Sequence, residues 1–186
     1  MLLSAGLAAA APSYLPVIES APSFSLVDSR GKYVTSAELR GKVLLLSFIY
    51  THCITECPMV TSRLGQIANR LKGSGLLGTR AHLVSISFDP TRDTPSWLAT
   101  YAESVGADGA WWLFLTGTPP EIAALLKRYD FYCQQRRTGD FDHVSRVYLI
   151  DQAGRIRQIY STGFLNAEIV VRDIKSLVEE STSTPR

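Results

Sequence analysis

Apolar residues along this chain alternate between two periods. Val43 to Tyr50 is almost continuously apolar between Gly41-Lys42 and a polar turn, the pattern of a strand buried on both faces of a sheet. Beyond it, Val60, Leu64, Ile67 and Leu71 recur at helical spacing until Gly73-Ser74-Gly75 stops the run. Leu83, Val84, Ile86 and Phe88 predict the next strand, which ends at Asp89-Pro90-Thr91-Arg92-Asp93. Thr94 and Pro95 read as N-cap and first residue of a helix with Leu98, Tyr101, Ala102 and Val105 on one face and Gly106 beyond its end. Trp112 to Leu115 reads as a short strand, and Thr118-Pro119-Pro120-Glu121 has the capping-box arrangement ahead of Ile122, Leu125, Leu126 and Tyr129. Two hairpins complete the pattern: Phe24 to Val27 with Lys32 to Val34, and Val147 to Ile150 with Ile156 to Tyr160. Asn166 then caps a last helix that turns Val170, Ile174, Leu177 and Val178 inward.

Strand, helix, strand, helix, strand, helix, hairpin, helix is the order of an α/β domain, a central mixed sheet flanked by helices with an N-terminal β-hairpin. Nearly half of the 186 residues are hydrophobic, enough for one domain to bury a substantial core without staples. The expected domain runs over residues 23–180. Residues 1–22 read as an export-signal remnant and an extended leader, and 181–186 as a disordered tail. Within that start, Met1 to Pro12 is apolar and small, and Ala8 to Ala11 offers a cleavage-like pattern. It has no positively charged leader and is too short to span a bilayer, so a signal or anchor remnant competes with a plain alanine-rich tail. Nineteen basic against seventeen acidic residues give a net charge of +2, with no basic run to serve as a nucleic-acid footprint.

The chemistry gathers in Thr51-His52-Cys53-Ile54-Thr55-Glu56-Cys57-Pro58. Two cysteines with three residues between them can ligate one soft metal ion, or close a disulfide if the backbone brings their Cβ atoms together, and the spacing alone does not choose. Pro58 suits a helix's first turn, which puts Cys57 at the helix start and Cys53 on the preceding loop. A helix N-terminus carries partial positive charge and free N–H groups, and so favours thiolate over thiol. Three cysteines make no disulfide framework, so a motif-bound pair with Cys133 left over is the natural count.

With His143 just ahead of a later strand, these features resemble the Sco/SenC family. Tyr50-Thr51-His52-Cys53 followed by Cys57-Pro58 is similar to its CxxxCP signature. Asp89-Pro90-Thr91-Arg92-Asp93-Thr94-Pro95 matches a second hallmark, and Asp142-His143 before Val147-Tyr148-Leu149-Ile150-Asp151 a third. The resemblance runs from about Phe24 to Val178. It implies a thioredoxin-like fold and an exported protein tethered to a membrane, in the periplasm or cell envelope. It also implies copper delivery during assembly of the dinuclear copper centre of cytochrome c oxidase. Carried over by position, Cys53 and Cys57 become thiolate ligands and His143 the imidazole ligand. Asp142 and Asp89 are candidates to stand around them. The chain departs from the family in Ile54, Thr55 and Glu56, where Pro and Asp are frequent, and in Cys133.

Two thiolates and one imidazole suit Cu(I) and can also hold Cu(II), whereas calcium and magnesium prefer oxygen. Zinc accepts the same donors but usually takes a fourth ligand in a structural site, and no second cysteine pair supplies one. The implied partners are the copper-accepting oxidase subunit and a thioredoxin-like reductant or another copper chaperone, with no nucleic acid. The competing function is a thiol-disulfide reductase that keeps the oxidase subunit's cysteines reduced, with Cys53 and Cys57 as its catalytic redox pair and no need of the histidine. Peroxide reduction is weaker, because Cys57 is too local for a distant resolving partner. Judged alone, a histidine before a strand is more often structural, and the resemblance is what makes His143 a ligand. His52 reads as spare, His82 as an edge or surface residue, Asp89, Arg92 and Asp93 as a salt-bridged loop, and Cys133 as an inert, partly buried thiol.

Overall fold

The strand expected to be buried on both faces is so at every position, and the rest of the molecule is arranged to cover it. The computed structural model describes residues 14–52, 57–107 and 109–181, with side chains omitted for Cys57, Pro58 and Ser181. In chain order the elements are β1 (Glu19–Ser20), β2 (Ser25–Asp28), β3 (Tyr33–Thr35), β4 (Val43–Ile49), α1 (Cys57–Gly73), β5 (Ala81–Ser87), α2 (Pro95–Ser104) and β6 (Trp112–Thr116). They continue with α3 (Pro119–Arg128), β7 (Cys133–Gln135), β8 (Phe141–His143), β9 (Arg146–Ile150), β10 (Arg155–Ser161) and α4 (Ala167–Ser181).

Eight strands form one mixed sheet in the order β1-β10-β9-β4-β5-β6-β2-β3. β4, β5 and β6 are parallel, linked by the crossovers through α1 and α2, while β9 lies antiparallel to β4. Alternation along β4 divides the core. Val43, Leu45 and Ile49 pack with Leu64, Ile67 and Leu71 of α1, Leu98 of α2 and Val170, Ile174 and Leu177 of α4. Leu44, Leu46 and Phe48 face the other way, onto Ile122 and Leu125 of α3 and the aromatic Tyr129, Phe131 and Tyr148. This is the α/β sheet with helices on both faces that the periodicity predicts, including the N-terminal β2–β3 hairpin.

The caps follow the expected chemistry. Thr94 Oγ1 accepts from the Trp97 N–H at 3.3 Å, the Glu121 carboxylate accepts from the Thr118 N–H at 2.8 Å, and Asn166 Oδ1 accepts from the Glu168 N–H at 2.9 Å. Two features differ from the sequence reading. The stretch between Cys133 and His143, given no element, is a two-stranded sheet of β7 and β8 turned at Gly139, whose φ of +88° suits glycine. Its strands are three residues each, too short to show a period. His82 is no edge residue: β5 lies between β4 and β6, and the imidazole is half-buried at its start. Burial, followed by the charge of Lys42, lowers its pKa.

The extended stretch ahead of residue 23 packs against the sheet. Leu15 is buried in the core and β1 pairs with β10. Arg157, 4% exposed, holds it there by donating from Nε to the Leu15 carbonyl at 3.1 Å while Nη1 reaches Asp151 at 3.0 Å and Nη2 reaches Glu180 at 2.9 Å. Arg157→Met takes the cation from the Leu15 carbonyl and Glu180 and leaves Asp151 only Arg155, at 2.8 Å, and a buried ion pair broken on one side costs about 3 kcal/mol. We expect that loss in urea unfolding, together with new protease cuts between residues 14 and 20. Unchanged stability with an intact N-terminal stretch would show that Arg157 does not hold it.

Candidate metal centre

Where β4 ends, the apolar run gives way to the polar residues of the cysteine motif. Tyr50 follows the strand, and Thr51 and His52 lead toward the thiols. Cys57 is the first residue of α1, as the Pro58 argument predicts; its side chain, and Cys53 on the preceding stretch, lie outside what the structure describes.

One buried carboxylate secures the approach to Cys53. Asp93, 0% exposed, accepts through Oδ2 from the Thr51 N–H at 3.0 Å and from the Ser87 hydroxyl at 2.6 Å. Its Oδ1 accepts from the Thr51 hydroxyl at 2.5 Å and lies 3.5 Å from His52 Nδ1. Trp97 adds a second hold. Its indole N–H donates to Thr51 Oγ1 at 2.7 Å and its ring stacks on His52 with centroids 5.3 Å apart. His52, expected to be spare, is therefore fixed between an aromatic face and a carboxylate. Trp97 was not singled out in the sequence, where its only signal is that it falls off the apolar face of α2; in the structure it is 47% exposed.

His143 arrives from the other side, at the end of β8. Its Nδ1 meets the Val144 carbonyl at 2.8 Å; with the proton on Nδ1 donated there, Nε2 keeps its lone pair for a metal. Aromatic rings enclose the imidazole, with centroids 5.2 Å away at Phe88, 6.0 Å at Tyr50 and 6.3 Å at Phe131. Tyr50 is three residues before Cys53, so the hairpin delivers the histidine to the root of the cysteine stretch.

Of the two aspartates considered around the ligands, Asp142 matches the alternative that it faces solvent. It is exposed, paired with Arg136 at 3.4 Å, and the Val144 carbonyl rather than Asp142 meets the His143 Nδ1. Neighbouring residues of a strand point to opposite faces, which separates Asp142 from the imidazole next to it. Asp89 is buried and ion-paired with Arg92, which in turn reaches the hairpin that bears His143. Cys133 stands opposite His143 in the β7–β8 register, so the two side chains share one face. Its thiol is pushed up to about 11, first by burial and then by the negative charge of Asp89. Among the described residues, three His, Cys, Asp or Glu side chains do not converge as a metal cluster. Likewise, no helix among them is long and apolar enough to cross a membrane.

Comparison with known proteins gives a consistent result. The SCO1/SenC family profile matches residues 16–179. A protein of Bacillus subtilis described as a SCO1 protein homolog is 30% identical over 158 residues, covering 82% of this chain and 80% of its own length. The structure of Bradyrhizobium japonicum ScoI with copper bound is similar with a TM-score of 0.74 and 30% identity, covering 85% of this chain and 99% of that one. A structure of BsSco, described as having a disulfide switch and as a member of the Sco family of cytochrome c oxidase assembly proteins, is similar with a TM-score of 0.77. That match is 27% identical and covers 88% of this chain and 96% of the other.

Two outcomes test this geometry. Asp93→Ala leaves the Thr51 N–H and the Ser87 hydroxyl without their acceptor, each unmade buried bond costing about 1–3 kcal/mol. Urea unfolding should lose at least about 2 kcal/mol and the Thr51 amide should exchange faster; wild-type stability would remove Asp93 from this role. Cys133, alone in a Cys53→Ser/Cys57→Ser variant, should react with iodoacetamide at pH 8 about 100-fold more slowly than an unperturbed thiol, because so little of it is thiolate. Labelling at the ordinary rate would mean that the thiol is not shielded.

Proposed function

The chain belongs to the SCO1/SenC family, and from that premise we propose that it carries copper as cargo for the assembly of the dinuclear copper centre of cytochrome c oxidase, holding it with the thiolates of Cys53 and Cys57 and with Nε2 of His143. The observation that carries this reading is the delivery of His143, its Nδ1 at the Val144 carbonyl, to within 6.0 Å of the Tyr50 ring at the base of the cysteine stretch. The donors fit the cargo: two soft thiolates and an imidazole accept Cu(I) and also Cu(II). Cys57 heads α1, where the helix dipole favours the thiolate. The copper bound in the similar Bradyrhizobium structure supports the same cargo.

Delivery follows from an incomplete donor set. Ligands of the copper-accepting oxidase subunit attack the metal while it is still held, and protein donors leave one after another, so the ion is never released to water. The same two cysteines can cycle between dithiol and disulfide. One thiolate attacks a disulfide of the acceptor, forming a mixed disulfide. The second thiolate then displaces the acceptor sulfur, leaving two reduced thiols there and a Cys53–Cys57 disulfide here. The disulfide switch described for BsSco favours this second role, and the two are compatible because cysteine ligands must be reduced before they are loaded. A thioredoxin-like reductant or another copper chaperone would then restore or reload the protein. The domain expected over residues 23–180 is extended by the stretch ahead of it, since Leu15 is buried in the core and β1 pairs with β10, and the alanine-rich start is read as the trace of export to the periplasm or cell envelope and of membrane tethering.

Copper titration of the reduced protein should give one ion per chain, and both His143→Ala and Cys53→Ser/Cys57→Ser should bind far more weakly. Binding that requires the cysteines but ignores the histidine, combined with efficient disulfide turnover by His143→Ala, would instead identify the protein as a reductase.

A further inference from the structure

Both arms of the proposed copper site are fastened to one short loop, residues 89–93 between β5 and α2. Asp93 holds the thiol arm through Thr51 and His52. Its neighbour Arg92 holds the other arm. The guanidinium is bound through Nε to the Asp89 carboxylate, donates from Nη2 to the Gly139 carbonyl at 2.9 Å, and lies with Cζ 5.8 Å from the Phe141 ring centroid. Gly139 is the turn of the β7–β8 hairpin, and Phe141 and His143 sit on its second strand. The loop is itself tied to the strand it leaves: the Asp89 N–H donates to Ser87 Oγ at 3.0 Å, and the Arg92 and Asp93 N–H groups donate to the Asp89 carbonyl at 3.2 and 2.9 Å.

We infer that Arg92 is the positioning residue for His143, clasping the histidine-bearing hairpin to the same loop that anchors the approach to Cys53. The planar fork suits this task. Its Nε side is taken by Asp89, which neutralises the charge and fixes the plane, and an Nη2 N–H reaches a backbone carbonyl in the hairpin turn. Phe141 beneath the guanidinium also packs on Tyr50 at 5.1 Å and on Phe88 at 5.2 Å. Arg92 therefore presses the hairpin against the aromatic rings that enclose His143. The separation of imidazole and thiolates is then set by five consecutive residues rather than by the long chain path from Cys57 to His143.

This inference rests on His143 being a copper ligand, and the experiment keeps the two claims apart. Arg92→Gln and His143→Ala are made singly and together, and copper affinity of the reduced proteins is measured by competition with a chromophoric chelator. Loss of a group that orients a metal ligand lowers affinity about 10- to 100-fold. Arg92→Gln should fall in that range with His143 present and change affinity less than about twofold once His143 is alanine. Equal weakening in both backgrounds would overturn the clasp. In the metal-free protein, amide exchange of residues 140–144 should accelerate in Arg92→Gln while that of Thr51, held by Asp93, stays at the wild-type rate. Unchanged exchange of the hairpin would overturn the inference. Should His143→Ala bind copper as tightly as wild type, the ligand reading fails, and hairpin exchange alone decides whether Arg92 is a clasp.

Discussion

Burial of β4 on both faces is the constraint from which the architecture follows. A seven-residue strand with no solvent-facing position must be covered twice, and the chain does this with α1, α2 and α4 on one side and α3 with its aromatic partners on the other. Crossovers through α1 and α2 lay β5 and β6 parallel to it, which brings the ends of β4 and β5 to the same edge of the sheet. At that edge the apolar run stops, backbone groups lose their strand partners, and polar side chains must satisfy them. Thr51, Ser87 and Asp93 are that satisfaction. The position of the cysteine stretch along the chain is a by-product of where the core strand ends.

What the edge supplies is rigidity without a ligand. Asp93 is fully buried, yet the described contacts use it on the protein itself, on one N–H, two hydroxyls and the neighbourhood of one imidazole. A carboxylate so thoroughly engaged serves as a scaffold and leaves the soft donors to meet the cargo. Cys133 follows a similar logic. It shares a hairpin face with His143, but burial and the charge of Asp89 hold it as a thiol, so little of this third sulfur is the nucleophilic thiolate.

The sheet, its helices and their caps were legible because each rests on a local rule: an uninterrupted apolar run, a helical period, or a Thr, Asn or Glu at a cap. The motif residues were legible by their spacing and by resemblance. What escaped was non-local. The β7–β8 hairpin has three-residue strands with no period; it pairs Cys133 opposite His143 and packs on the cluster of Tyr50, Phe88 and Phe131, none of which is near it in sequence order except Phe131. His82 looked like an edge residue because one polar position in a strand does not reveal which strands lie beside it. Asp142 was considered for its adjacency to His143, and adjacency along a strand means opposite faces. Arg92 and Asp93 were visible as a charged loop, but not the fact that one reaches the hairpin and the other the cysteine approach.

The small β7–β8 sheet carries one consequence for the working life of the protein. Its ladder is its own, and among the described residues no strand pairing joins it to the eight-stranded sheet. Side chains hold it in place, and a two-stranded hairpin has little stability of its own. Lifting it away therefore breaks no rung of the main sheet and uncovers only the rings of Tyr50, Phe88 and Phe131 on which it packs. Opening of this kind draws on local rather than global stability. The hairpin that bears the imidazole is thus the part of this face that can move by itself, and opening on its side requires no rung of the main sheet to break.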